Sequence, residues 1–144
     1  MQSLPHLYSV TANANPESYV TLSTEGIAPI ESAPPVQFGG PGDHWSPEDL
    51  LVAALADCFI LTFKAVSRAS KFDWQSLSCT VDGTLDRIEK ATQFTAFTIK
   101  ADLTVASDAD QEKAQKLLEK SEHVCLITNS LKAPVHLEAR IVVA

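Results

Sequence analysis

Ser46-Pro47-Glu48-Asp49-Leu50-Leu51-Val52-Ala53-Ala54-Leu55-Ala56-Asp57-Cys58-Phe59-Ile60-Leu61-Thr62-Phe63 is the stretch on which the architecture turns. It opens with a serine in the capping position, a proline at the first helical position and two acids in the first turn, where unpaired amides favour negative charge. From Leu50 to Phe63 only Asp57 and Thr62 interrupt the apolar residues, and Lys64, Ser67, Arg68 and Lys71 then give the last turns a polar face. A helix apolar on every side has to be covered on every side. One chain of 144 residues has few elements with which to do that, so the expectation is that a second subunit helps.

Upstream of this helix, Leu7–Ala12 and Tyr19–Thr24 are short β-rich stretches separated by Asn13-Ala14-Asn15-Pro16, which predicts a hairpin. Between Glu25 and Trp45 the pattern dissolves among Pro29, Pro34, Pro35, Gly39, Gly40, Pro41 and Gly42. So long an irregular stretch inside a domain is usually functional or covered by something else.

Downstream, Leu77, Cys79, Val81 and Leu85 alternate with polar residues, and Phe97, Ile99, Ala101, Leu103 and Val105 do the same. This predicts a long antiparallel hairpin with one dry face. Ser107-Asp108-Ala109-Asp110 repeats the capping pattern and opens a second helix to about His123, with Ala114, Leu117, Leu118 and Ser121 on one face. Val135, Leu137, Ala139, Ile141 and Val143 form a closing strand. The order ββ-α-ββ-α-β places the chain in the α+β class, as a single domain over residues 1–144 with an antiparallel sheet packed on a long buried central helix.

Composition narrows the functions. The formal net charge is −7 and no Lys or Arg precedes Lys64, so there is no basic stripe to follow a nucleic acid. The same acidity gives no attraction to anionic lipid, no apolar run reaches the length of a membrane span, and the N-terminus lacks a signal-peptide pattern, so the expected location is the cytoplasm. Small molecules and other proteins remain as partners. The three cysteines, Cys58, Cys79 and Cys125, contain no Cys-x-x-Cys pair, so neither a metal nor a disulfide scaffold is expected.

A free cysteine often behaves as a small hydrophobe, and Cys79, between Leu77 and Val81 on the inward face of a strand, fits that description. Cys58 in the central helix and Cys125 near the end of the second both face inward and could meet. The residues alone leave that open.

Three runs resemble the OsmC/Ohr family, the osmotically inducible and organic hydroperoxide resistance proteins. They are Phe38-Gly39-Gly40-Pro41-Gly42, then Ser46 to Phe59 with its Pro47-Glu48 pair upstream of Cys58-Phe59, and Cys125-Leu126-Ile127-Thr128-Asn129-Ser130-Leu131. The resemblance extends over essentially the whole chain and implies an intertwined homodimer whose sheets wrap two central helices. It implies a peroxidase in which Cys58 attacks an organic hydroperoxide, Cys125 resolves the sulfenic acid as a disulfide, Glu48 positions an activating Arg, and a dithiol of lipoyl type is the reductant. No cofactor is implied. The chemistry is coherent, because a thiolate is the nucleophile and a neighbouring thiol traps the sulfenic acid before further oxidation.

One departure stands out. The family's activating Arg comes from the region before the central helix, where this chain has none, and Gln37 stands roughly where one subgroup places it. Lys64, Arg68, Arg87 and His123 are the candidate replacements. Glu48 could equally serve only to stabilise the helix start, His44 and Trp45 could line a pocket or pack their loop, and Asp57 would raise a nearby thiol's pKa if charged. Two other readings therefore stand beside the peroxidase. One is a non-catalytic dimer that binds a small apolar or thiol-reactive ligand; the other is a Cys/His hydrolase, for which no motif surrounds any of the four histidines.

Overall fold

Helix α1 runs Pro47–Ala69 in the computed structural model, which describes residues 1–144. Its start is the capping arrangement expected: the amide of Asp49 donates to Ser46 Oγ (3.0 Å) and Asp49 Oδ2 accepts from the Ser46 amide (3.4 Å). Its end is set by Lys71 in the left-handed region (φ 52°), which lets the Phe72 amide reach back to the Ser67 carbonyl at 2.9 Å. That six-to-one closure usually uses glycine at the left-handed position; here the burial of Phe72 supplies the accompanying apolar contact.

The backbone packs as two compact units, Met1–Leu50 and Leu51–Ala144, where the sequence reads as one domain. In the first unit, β1 (Thr11–Asn13), β2 (Val20–Thr24) and β3 (Ile27–Ser32) form an antiparallel meander. The hairpin expected at the N-terminus is present, although its first strand is only three residues long. Strand β3 is a correction, since it lies in the segment expected to be irregular. Pro29 hides it: a proline cannot donate to a ladder, and β3 tolerates one because along Pro29 it has β2 on one side only and forms the sheet's edge. After β3 the chain turns through Val36–Phe38 and Gly39 (φ 82°) and returns so that the Ala33 amide bonds the Trp45 carbonyl at 3.0 Å. Gly40 is required there, as a Cβ would stand 1.6 Å from the Pro34 carbonyl oxygen.

In the second unit, β4 (Ser76–Ile88) and β5 (Ala91–Val105) form the long hairpin. They are joined by Glu89 and Lys90, both at positive φ (49° and 74°), the tight turn that suits the strands' twist. Helices α2 (Gln111–Val124) and α3 (Leu126–Ser130) follow, and β6 (Val135–Val143) pairs with β5 in parallel. This sheet is therefore mixed rather than antiparallel. The helical crossover between β5 and β6 is what permits the parallel return. The α+β class stands, with two three-stranded sheets.

The core of the second unit gathers Leu55, Phe59 and Phe63 of α1, Phe97 to Val105 in alternation on β5, and Ala114, Leu117 and Leu118 of α2. The sheet's dry face packs on the central helix as expected. By composition and length α1 could cross a membrane, yet its Leu55, Phe59, Phe63 and Ser67 stripe belongs to this protein core. The expectation of burial on every side is not met within one chain: Leu61 is 56% exposed.

Candidate functional site

Cys58 and Cys125, separated by 67 positions of sequence (125 − 58), are brought together in the second unit, where each acts directly on the ionisation of the other. Cys58 is half-buried on α1, and its Sγ lies 3.8 Å from Thr62 Oγ1 one turn along the helix. Cys125 is fully buried at the break between α2 and α3, where its ψ of 116° carries the chain out of one helix and into the next. That break is why the helical face through Leu118 does not continue past Cys125, even though the residue points inward as the spacing suggested.

The surroundings of the two sulfurs differ in a way that decides where the first charge sits. Burial pushes the Cys58 thiol up; the Ile127 amide and Thr62 hydroxyl oppose this, Cys125 reinforces it, and the net direction is upward. Burial also acts to push Cys125 up, but the polar groups around it, the Thr128 hydroxyl and amide, the Cys58 thiol and the Ile127 amide, outweigh it, and its net direction is downward. Cys125 is thereby the more readily ionised of the two sulfurs. Titration of such a pair belongs to the pair as a whole. Cys79 on β4 is pushed up to about 11 by burial first and by Cys125 second, which leaves it a protonated, unreactive thiol at neutral pH.

None of the groups acting most strongly on Cys58 is cationic. Lys64, Arg68, Arg87 and His123 are all exposed, and none forms an ion pair. Gln37 is exposed on the Val36–Phe38 turn, and Asp57 is exposed on α1. With no cation to stabilise its thiolate and burial opposing it, Cys58 should react with iodoacetamide at a rate that keeps climbing through about pH 8.5, the ordinary thiol range. A plateau already reached at pH 6 would overturn this account of the site.

Glu48 lies in the first unit, half-buried in the first turn of α1. There it borders a cleft of about 480 Å³ whose walls include Tyr19, Pro35, Phe38, Pro41 and Pro47. His44 does not line this cleft. It stacks on Tyr19 (ring centroids 4.0 Å apart) and contacts Asp43 at 2.6 Å and Glu31 at 3.5 Å, the hydrogen bond to Asp43 being the main reason its pKa is raised. It braces its loop, and Trp45 beside it is exposed.

Sequence reasoning missed three groups at the cysteine pair: the Thr62 hydroxyl, the Ile127 amide and Thr128. A signal for two of them was present. Thr62 is four residues after Cys58, hence on the same helical face, and Thr128 is three residues after Cys125. Thr62 was visible only as an interruption in an apolar run.

Residues 40–140 match the sequence family described as OsmC-like protein. The chain is 25% identical over 107 residues to the uncharacterized protein YmaD of Bacillus subtilis, a match that spans 72% of this chain and 71% of that one. Among solved structures, an OsmC-like protein of unknown function from Vibrio cholerae superposes with a TM-score of 0.84 at 18% identity, over 94% of this chain and 100% of the other. An organic hydroperoxide resistance protein OsmC from Legionella pneumophila gives 0.75 at 26% identity, over 96% and 100%.

Proposed function

This chain belongs to the family of OsmC-like proteins, and from that premise we propose that it is a thiol-dependent peroxidase that reduces organic hydroperoxides through Cys58 and Cys125. The observation that carries this reading is the meeting of two reduced thiols from distant parts of the sequence, one buried and one half-open to solvent. In the first step the Cys58 thiolate attacks the outer peroxide oxygen, the O–O bond breaks, and the alcohol leaves with a proton, so that Cys58 becomes a sulfenic acid. In the second the Cys125 sulfur attacks Cys58 Sγ, water leaves, and a disulfide remains. A dithiol of lipoyl type then restores both thiols, its own two sulfurs joining as a disulfide. Likeness to the Legionella pneumophila protein supports the substrate class.

The proposal includes a homodimer in the cytoplasm. The open flank of α1 around Leu61 is the apolar surface a second copy would cover. Glu48 is included in the catalytic assignment on the family's pattern alone, as the acid that positions an activating Arg. One observation favours a second reading, a non-catalytic dimer that binds a small apolar or thiol-reactive ligand: no cation activates Cys58.

Peptide mapping after one equivalent of an organic hydroperoxide separates the readings. A Cys58–Cys125 disulfide with Cys79 untouched is the expected product, since Cys79 stays protonated. A Cys58–Cys79 product, or no thiol loss, would remove the peroxidase assignment.

A further inference from the structure

The cleft of the first unit, at about 480 Å³, has the size of a small-molecule site, and every residue that borders it lies between Ser18 and Glu48. Its walls are mostly apolar, with the rings of Tyr19 and Phe38 and the prolines Pro35 and Pro41. The Tyr19 ring is held in place from outside the cleft by its stack on His44, 4.0 Å between centroids. Among the polar groups on the wall, the Ser18 hydroxyl is spent on the Tyr19 carbonyl at 2.8 Å. Ser32 and Glu48 are not spent. Ser32 is 4% exposed and its hydroxyl has no partner within the chain, while the half-buried Glu48 belongs to none of the chain's ion pairs. An apolar cleft thus carries a carboxylate and a hydroxyl that nothing in the fold satisfies.

Charge decides what can enter. Residues 1–50 contain six acids, Glu17, Glu25, Glu31, Asp43, Glu48 and Asp49, and no Lys or Arg. Glu31 and Asp43 are engaged by His44, and Asp49 by the Ser46 amide, so Glu48 is the one charged side chain on the cleft wall. An anion would meet repulsion with no cation to offset it. A neutral apolar molecule would take water from the carboxylate and return no hydrogen bond, which is unfavourable. A protonated amine has three donors, enough for both the carboxylate and the hydroxyl, and its bond to the carboxylate is of the stronger, charge-assisted kind. Aromatic faces add to the attraction for a cation.

We infer that this cleft is a binding site for a small organic cation, a primary amine on an aromatic or aliphatic body, with Glu48 and Ser32 receiving the ammonium group and Tyr19, Phe38 and the prolines covering the rest. The inference does not rest on the peroxidase reading, since it concerns the first unit and uses neither cysteine. It gives the Glu48 carboxylate a charged partner from solution, where the chain provides none.

The test titrates the full chain, without peroxide, with three probes of one shape: 2-phenylethylamine as the cation, 2-phenylethanol as its neutral counterpart and 3-phenylpropanoate as an anion. Amide chemical shifts in nuclear magnetic resonance spectra report both affinity and place. The amine should move the amides of Tyr19, Ser32 and Gly40 in a saturable way, the alcohol should bind about tenfold more weakly, and the anion should leave these signals unmoved. Glu48→Gln keeps the shape and removes the charge; it should weaken the amine about tenfold and erase its advantage over the alcohol. Phe38→Ala, at a side chain 60% exposed and so dispensable for folding, should weaken amine and alcohol alike. An alcohol that binds as tightly as the amine overturns the inference, and so does the absence of shifts at these amides with any probe, as when a second copy fills the cleft. Should Glu48→Gln fail to fold, the comparison of the three probes on the wild type decides alone.

Discussion

Cys58→Ser is expected to lose peroxide consumption by more than about a thousandfold, as removal of a nucleophile typically does. Cys125→Ser is expected to differ in kind. It should consume one equivalent of organic hydroperoxide per Cys58 in forming the sulfenic acid and, under excess peroxide, a second in forming sulfinic acid on Cys58, then stop, because no neighbouring thiol remains to trap the sulfenic acid. Both outcomes follow from the asymmetry of the pair. Cys58 is the sulfur with access to solvent, whereas Cys125 is fully buried. The downward direction at Cys125 does not make it the peroxide-attacking group, since access limits a buried thiolate however readily it ionises. Equal loss in the two variants, with no sulfinic acid in either, would favour the ligand-binding reading. Full activity in Cys58→Ser would eliminate the proposed mechanism.

What the sequence made legible was whatever repeats with a period. The capping signal at Ser46, the alternation from Phe97 to Val105 and the buried face of α2 all appear where the pattern puts them. Pairing between distant elements has no such signature. Nothing in Val135–Val143 distinguishes a strand that returns parallel to β5 from one that returns antiparallel, because both bury the same alternate residues. Strand β3 was hidden by Pro29, a residue read as a breaker and tolerated at an edge. At the candidate site, the cysteines could be picked out as residue types, but the donors around them could not. Two are threonines of ordinary appearance, and the third is the backbone amide of Ile127, which no side-chain pattern encodes.

Phe59→Ala tests whether the core of the second unit, and not the cysteine pair alone, holds the site in place. Phe59 is 0% exposed, lies next to Cys58 in sequence, and occupies the centre of the stripe that α1 buries. Truncating a buried phenylalanine removes its apolar transfer energy and leaves a cavity, at a combined cost of about 3–5 kcal/mol. That is a large share of the roughly 5–15 kcal/mol that stabilises a typical domain. Urea unfolding should show the loss as a lower midpoint, and disulfide formation by peroxide should weaken at temperatures where the wild type is intact. Leu61→Ala is the control on the same helix. Its side chain is 56% exposed in the single chain, so without a second copy the substitution should cost within about 0.5 kcal/mol, as exposed positions do. If instead Leu61→Ala is strongly destabilising and the loss depends on protein concentration, the open flank of α1 is covered by another copy in solution, as the proposed dimer requires. A loss at Phe59 below about 1 kcal/mol would mean that α1 does not pack through this stripe, and the geometry assigned to Cys58 would fall with it.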